Sequence, residues 1–131
     1  MLYDVAFMIH MLGLVGWGGL TTGAYYLLEF SEGKDRRLLL GYRKLVYLEW
    51  ISLIAMAISG AYMWLRLGMP SWVYPAFALS PVLAIGEYYH WKLTYLNDVN
   101  LFLKRMRSLS LFYTLVALFL IYDMVFKPVL P

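Results

Sequence analysis

The sequence predicts an all-α integral membrane protein: one four-helix bundle, up-down-up-down, with both termini outside. Three observations carry this. Of the 131 residues, 63% are hydrophobic and 15% charged, whereas soluble domains run nearer a quarter charged. Four stretches, 5–30, 43–67, 72–96 and 108–126, reach the roughly 20 apolar residues that a bilayer crossing needs. The basic residues concentrate in two of the three connections. Lys34, Arg36, Arg37, Arg43 and Lys44 mark the first, Lys104, Arg105 and Arg107 the third, and the second has only Arg66. The positive-inside rule then makes 31–43 and 97–107 cytoplasmic loops of a plasma-membrane protein. The chain reads as a single domain.

The first helix is not a cleavable signal peptide, because Asp4 precedes it and a basic leader is lacking. At about 100° per residue, His10, Gly13, Leu14, Trp17, Thr21 and Ala24 share one face. Gly16, Gly19 and Gly23 share another, which reads as a helix-packing seam for this chain, a partner or a second copy. Gly13, one turn from His10, leaves room beside the ring. An ionisable ring among apolar residues in a membrane is a functional candidate, and His10 is read as a cofactor or metal ligand.

The second helix presents Glu49, Ser52, Met56, Ser59, Gly60 and Met63 in one stripe. The plain reading of Met56 and Met63 is packing. Met63 shares the outer depth of His10, however, and a His/Met pair suits haem or copper. In the third helix, Glu87 and His90 sit three residues apart on one face, the Glu-x-x-His spacing of four-helix di-iron sites. Glu29 and Glu49, from the inner ends of their helices, are expected to complete an inner carboxylate–histidine metal site. The alternative is an interfacial cluster with Lys92, Arg43 and Lys44 as ion-pair partners. His10 and His90 differ in depth by roughly 20 Å at 1.5 Å per residue, so they cannot clamp one haem within a subunit. In the fourth helix, Asp123 reads first as an interfacial, solvated carboxylate, and an outer ion-pair set with Arg66 and Asp4 is the alternative.

With no cysteine, thiolate sites and cysteine catalysis are excluded. Neither a phosphate loop nor a dinucleotide fingerprint is present, and charge clustered in loops points to lipid headgroups rather than nucleic acid.

The stretches "IHMLGLVGWGG", "YRKLVYLEWISLIAMAISGAY" and "YDMVFKPVLP" together resemble an uncharacterised family of small four-helix membrane proteins that end in Met-x-x-Lys-Pro. That family is in turn similar to the copper resistance protein D domain and to the membrane protoporphyrinogen oxidase HemJ. The resemblance spans nearly the whole chain and implies haem b at His10, with Trp17 as its companion. It makes His90, in "EYYH", the counterpart of a later HemJ histidine. HemJ carries Trp-x-His-x-Lys-Leu at the head of its third helix. Here the segment is "WVYPAF", without His or Lys. An oxidoreductase activity is left open, but the pattern that would support it is missing. A methionine-rich external loop would support the copper-handling resemblance, but Met69 is the one methionine of the second connection, so bulk copper binding is not supported.

The leading expectation is a b-type haem protein serving electron transfer, or a subunit or assembly partner of a respiratory or haem-handling complex, and forming a homodimer. The alternatives are an accessory subunit without a cofactor, and a protein that binds or transports copper or iron.

Overall fold

The computed structural model describes residues 1–31 and 36–127. Its long helices are α1 (Leu2–Phe30), α2 (Arg36–Arg66), α3 (Tyr74–Leu93) and α4 (Val99–Phe126), and a short 3₁₀ turn, Ser71–Val73, leads into α3. No strand occurs among the described residues. Three helices (α1, residues 37–66 of α2, and α4) are long and apolar enough to cross a membrane. The sequence predicts four crossings. α3 is not among the three, since its 20 residues include Pro81, Glu87, His90 and Lys92.

Two helices start earlier than the apolar runs suggest, α2 at residue 36 rather than 43 and α4 at 99 rather than 108. The added turns are amphipathic. Leu39, Tyr42 and Val46 are buried while Arg37 and Lys44 are exposed, and Val99, Phe102, Leu103 and Met106 are buried while Lys104, Arg105 and Arg107 are exposed. Helical spacing of the apolar residues is enough to sustain a helix that a search for unbroken hydrophobicity passes over. Asp98 caps α4 by accepting from the backbone N–H of Asn100 at 3.0 Å and Leu101 at 3.4 Å. Most of the basic residues assigned to loops 31–43 and 97–107 therefore stand on helices. Lys34, and the terminal motif from Pro128 onward, lie outside the described residues.

α2 stops where Gly68 takes φ +85°. The Gly68 N–H reaches Leu65 O at 3.3 Å and the Met69 N–H reaches Trp64 O at 2.9 Å. That pairing closes a helix end and needs a left-handed residue, which glycine supplies without a Cβ clash.

α1 and α2 make the most extensive contact, and α1 and α4 pack far more loosely. Along α1–α2, His10 lies against Gly60, Gly13 against Ser52 and Met56, and Thr21 against Glu49. Residue numbers thus rise on one helix as they fall on the other. A Cβ on Gly13 would stand 2.9 Å from the Ser52 carbonyl oxygen, and Gly16 also faces Ser52. The close approach uses Gly13 and Gly16. The expected seam through Gly19 and Gly23 is not part of it, because a Cβ at either meets nothing within 4 Å. The larger core cluster, with Leu28, Tyr42, Val46, Leu93 and Phe102 at its centre, lies toward the basic end. A smaller one joins Trp17, Leu83 and Val116.

Candidate metal centre

Just above the larger core, α2 and α3 bring three ionisable side chains into one dry spot. Glu49 is 2% exposed, Glu87 0% and His90 1%. The three-residue spacing puts Glu87 and His90 on one face of α3, and His90 Nδ1 lies 2.8 Å from Glu87 Oε1 and 3.2 Å from Glu49 Oε1. Each residue offers one donor atom, and these atoms all lie within 4.8 Å of one another. Around them, Thr21 donates to Glu49 Oε2, the Tyr42 hydroxyl pairs with His90 Nε2, and Tyr113 donates to Glu87 Oε1 at 3.4 Å. Gly86 makes room for the Tyr113 ring, since a Cβ there would stand 3.0 Å from its hydroxyl oxygen.

Two features of the cluster are compatible with a bound cation. Glu87 Oε2 is buried without a hydrogen-bond partner, and buried polar atoms are normally paired. Charge gives the second argument. Two carboxylates and an imidazolium leave one uncompensated negative charge in a low-dielectric interior, which is costly, and either a proton on one carboxyl or a bound cation removes it. Two carboxylates and a neutral imidazole balance a divalent ion. Tetrahedral bonds of about 2.1 Å set neighbouring donors about 3.4 Å apart, close to the 3.2 Å between His90 Nδ1 and Glu49 Oε1. Oxygen and imidazole donors suit iron, manganese or zinc, whereas copper(I) prefers sulfur. The residues that could hold a metal are thus Glu49, Glu87 and His90, with Tyr42 fixing the far nitrogen of the ring.

Glu29 does not join them. It pairs with Arg107 Nε at 3.0 Å and accepts from Tyr25 at 2.7 Å. The reason is the early start of α2, which places Glu49 level with Thr21, eight residues or about 12 Å along α1 from Glu29. The expected basic partners are elsewhere as well. Arg43 lies 3.8 Å above the Tyr95 ring and donates to Thr94 O at 2.8 Å. Lys92 lies over Tyr88 and Trp91.

His10 stands at a second place, half-buried. Its Nδ1 is 2.9 Å from Met56 O and 3.3 Å from Ser59 Oγ. The residue that makes room for its ring is Gly60, where a Cβ would come within 3.0 Å of Cε1; Gly13 instead faces Ser52 and Met56. Met56 thus offers His10 its carbonyl, while its side chain packs on the Trp17, Leu83 and Val116 cluster. Met63 is buried at 9% exposure. Trp17 stacks edge-on with Tyr113 at 5.8 Å, on the side of the carboxylate–histidine cluster. Neither the interfacial solvation expected of Asp123 nor the alternative outer ion-pair set is found. Asp4 lies 3.8 Å from the N-terminal ammonium, and Asp123 is buried with Oδ2 unpartnered.

Sequence reasoning missed Tyr42, Thr21 and Tyr113. Thr21 lies on the His10 face of α1, which was a usable signal. In a chain with 12 tyrosines, nothing in spacing singled out the other two. No family model, curated protein or solved structure matches the chain.

Proposed function

We propose that the protein crosses the plasma membrane four times, up-down-up-down with both termini outside, and holds one divalent transition-metal ion at Glu49, Glu87 and His90 as a resident centre for electron transfer. The convergence of three buried donors, with Glu87 Oε2 left unpartnered, carries this reading. For α3 as a fourth crossing, 20 residues at about 1.5 Å per residue give about 30 Å, the thickness of the hydrocarbon layer. Its Glu87 and His90 are buried within the bundle, as membrane-depth ionisable groups must be. The concentration of Arg37, Arg43, Lys44, Lys104, Arg105 and Arg107 at one end supports placing that end in the cytoplasm. Bound iron or manganese supplies one-electron chemistry; the chain fixes its donors and excludes water.

Elemental analysis of the detergent-purified protein, after exposure to iron, manganese and zinc, tests the centre. One equivalent of metal in the wild type and its loss in Glu87→Gln and His90→Ala are expected. No stoichiometric metal, or full retention in both variants, disproves it.

One observation favours a second reading, haem b at His10. With Nδ1–H donating to the Met56 carbonyl at 2.9 Å, the tautomer is fixed and Nε2 keeps its lone pair, as in metal-ligating histidines. Because His10 is only half-buried, such a haem needs a wall from a second copy of the chain or a partner subunit. A Soret band that disappears in His10→Ala is the expected signature, and its absence after expression with ample haem rejects this reading.

A further inference from the structure

The loose packing of α1 on α4 leaves a cleft of about 140 Å³ between them. Its walls include Trp17, Tyr25 and Tyr113, its floor Glu49, Tyr42 and His90, and its mouth Gly18, Thr22 and Thr114. The mouth residues are exposed on the flank of the bundle. Gly18 and Thr114 lie within two residues of the midpoints of α1 and α4, so the cleft opens at the depth of the lipid tails. Thr22 and Thr114 spend their hydroxyls on their own helices, donating to Gly18 O at 2.9 Å and Ser110 O at 2.8 Å. These two threonines therefore bring little free polarity to the entrance, and Glu49 and His90 place charge at the bottom.

Size, wall and floor each restrict the occupant. A cavity of roughly 150 Å³ accepts one benzene ring, so a single six-membered ring fits and a haem does not. Trp17 and Tyr113, edge-on at 5.8 Å, offer aromatic surface of the kind that packs rings. At the floor, Glu49 accepts from Thr21 through Oε2 and faces His90 through Oε1. A carboxylate has about four acceptor positions, so Glu49 has capacity for one more donor.

We propose that this cleft binds a hydroxyl-bearing aromatic ring dissolved in the bilayer, the chemistry of a quinol head group, with its hydroxyl donating to Glu49. The proposal rests on the membrane reading above and gives the buried centre its ligand class. The hydrocarbon tail of such a molecule stays in lipid outside the mouth, and the ring passes between Gly18 and Thr114.

Titrating the full chain in lipid nanodiscs with a decyl-tailed benzoquinol, and with the same molecule methylated on both hydroxyls, tests it. Saturable one-to-one binding of the quinol is expected, weakened roughly tenfold or more by methylation, since the hydrogen bond to a carboxylate is lost. Gly18→Phe and, independently, Thr114→Phe narrow the mouth from opposite helices and are expected to weaken binding by a similar factor. Position 18 has open space for a side chain. Equal binding of quinol and ether, or unchanged affinity in both variants, overturns the proposal. Metal content measured on the same samples keeps the two readings apart. Quinol binding lost with metal retained in the wild type refutes the ligand alone, and quinol bound without metal refutes the metal centre alone.

Discussion

His10 and His90 stand in different helices, α1 and α3, and both turn toward α2, where their partners Ser59 and Glu49 are ten residues apart, about 15 Å along the axis. Their surroundings differ in kind. His90 is 1% exposed, held between two carboxylates and a tyrosine hydroxyl. His10 is half-buried and meets a backbone carbonyl and a serine. The first ring is one member of a buried cluster with three donor atoms that could hold a cation; the second has one nitrogen met by a carbonyl and a serine hydroxyl of α2. An imidazole in a helix of this chain therefore signals function with a strength set by its neighbours, not by its presence.

The sharpest way to break this contrast is to delete each ring. His90→Ala leaves Glu49 and Glu87 facing each other in a dry interior and is expected to cost about 3–5 kcal/mol, the range for stranding buried charge. Thermal unfolding in detergent reads it. Equal losses for His90→Ala and His10→Ala would mean that the carboxylate cage contributes nothing beyond ordinary packing.

The glycines offer the next largest effect. Gly13→Leu forces a side chain into the Ser52 carbonyl and should cost about 1–3 kcal/mol, as overpacking does. Gly19→Leu has open space at its Cβ and should leave the monomer fold as stable as before. If Gly19→Leu proves the more damaging, the α1–α2 contact has been assigned to the wrong face. A change of native mass in that variant would instead reveal an interface between copies.

His10→Ala removes one hydrogen bond to a backbone carbonyl and is expected to cost about 0.5–1.5 kcal/mol. The smallest effect belongs to Arg107→Ala. Its ion pair with Glu29 lies at the surface, with Arg107 69% exposed, and exposed pairs contribute under about 1 kcal/mol. Urea titration of that variant should shift little, and a large loss would show that Glu29 belongs to the core network after all.

Much of the candidate site was legible. Glu87 and His90 announced themselves by a three-residue spacing, and Glu49 by being a carboxylate in the second apolar run. Glu29 was grouped with them because depth was counted from the ends of apolar runs. α2 begins seven residues before its run does, so that count misaligned α1 against α2. Tyr42 is in the overlooked turns, which explains why it went unnoticed. The choice between Gly60 and Gly13 as the glycine beside His10 was not legible, because a helical wheel gives the direction of a side chain and not the identity of what faces it.

The residue order by itself determined an all-helical chain with apolar helices of membrane-crossing length, and the local pairing of Glu87 with His90. Both depend on neighbours a few residues away and on the cost of exposing hydrocarbon to water. Only the tertiary structure decided that Glu49 meets them, that Glu29 does not, and that a cleft leads in between α1 and α4. Those facts depend on the register and separation of helices distant in sequence, which packing across the whole bundle sets.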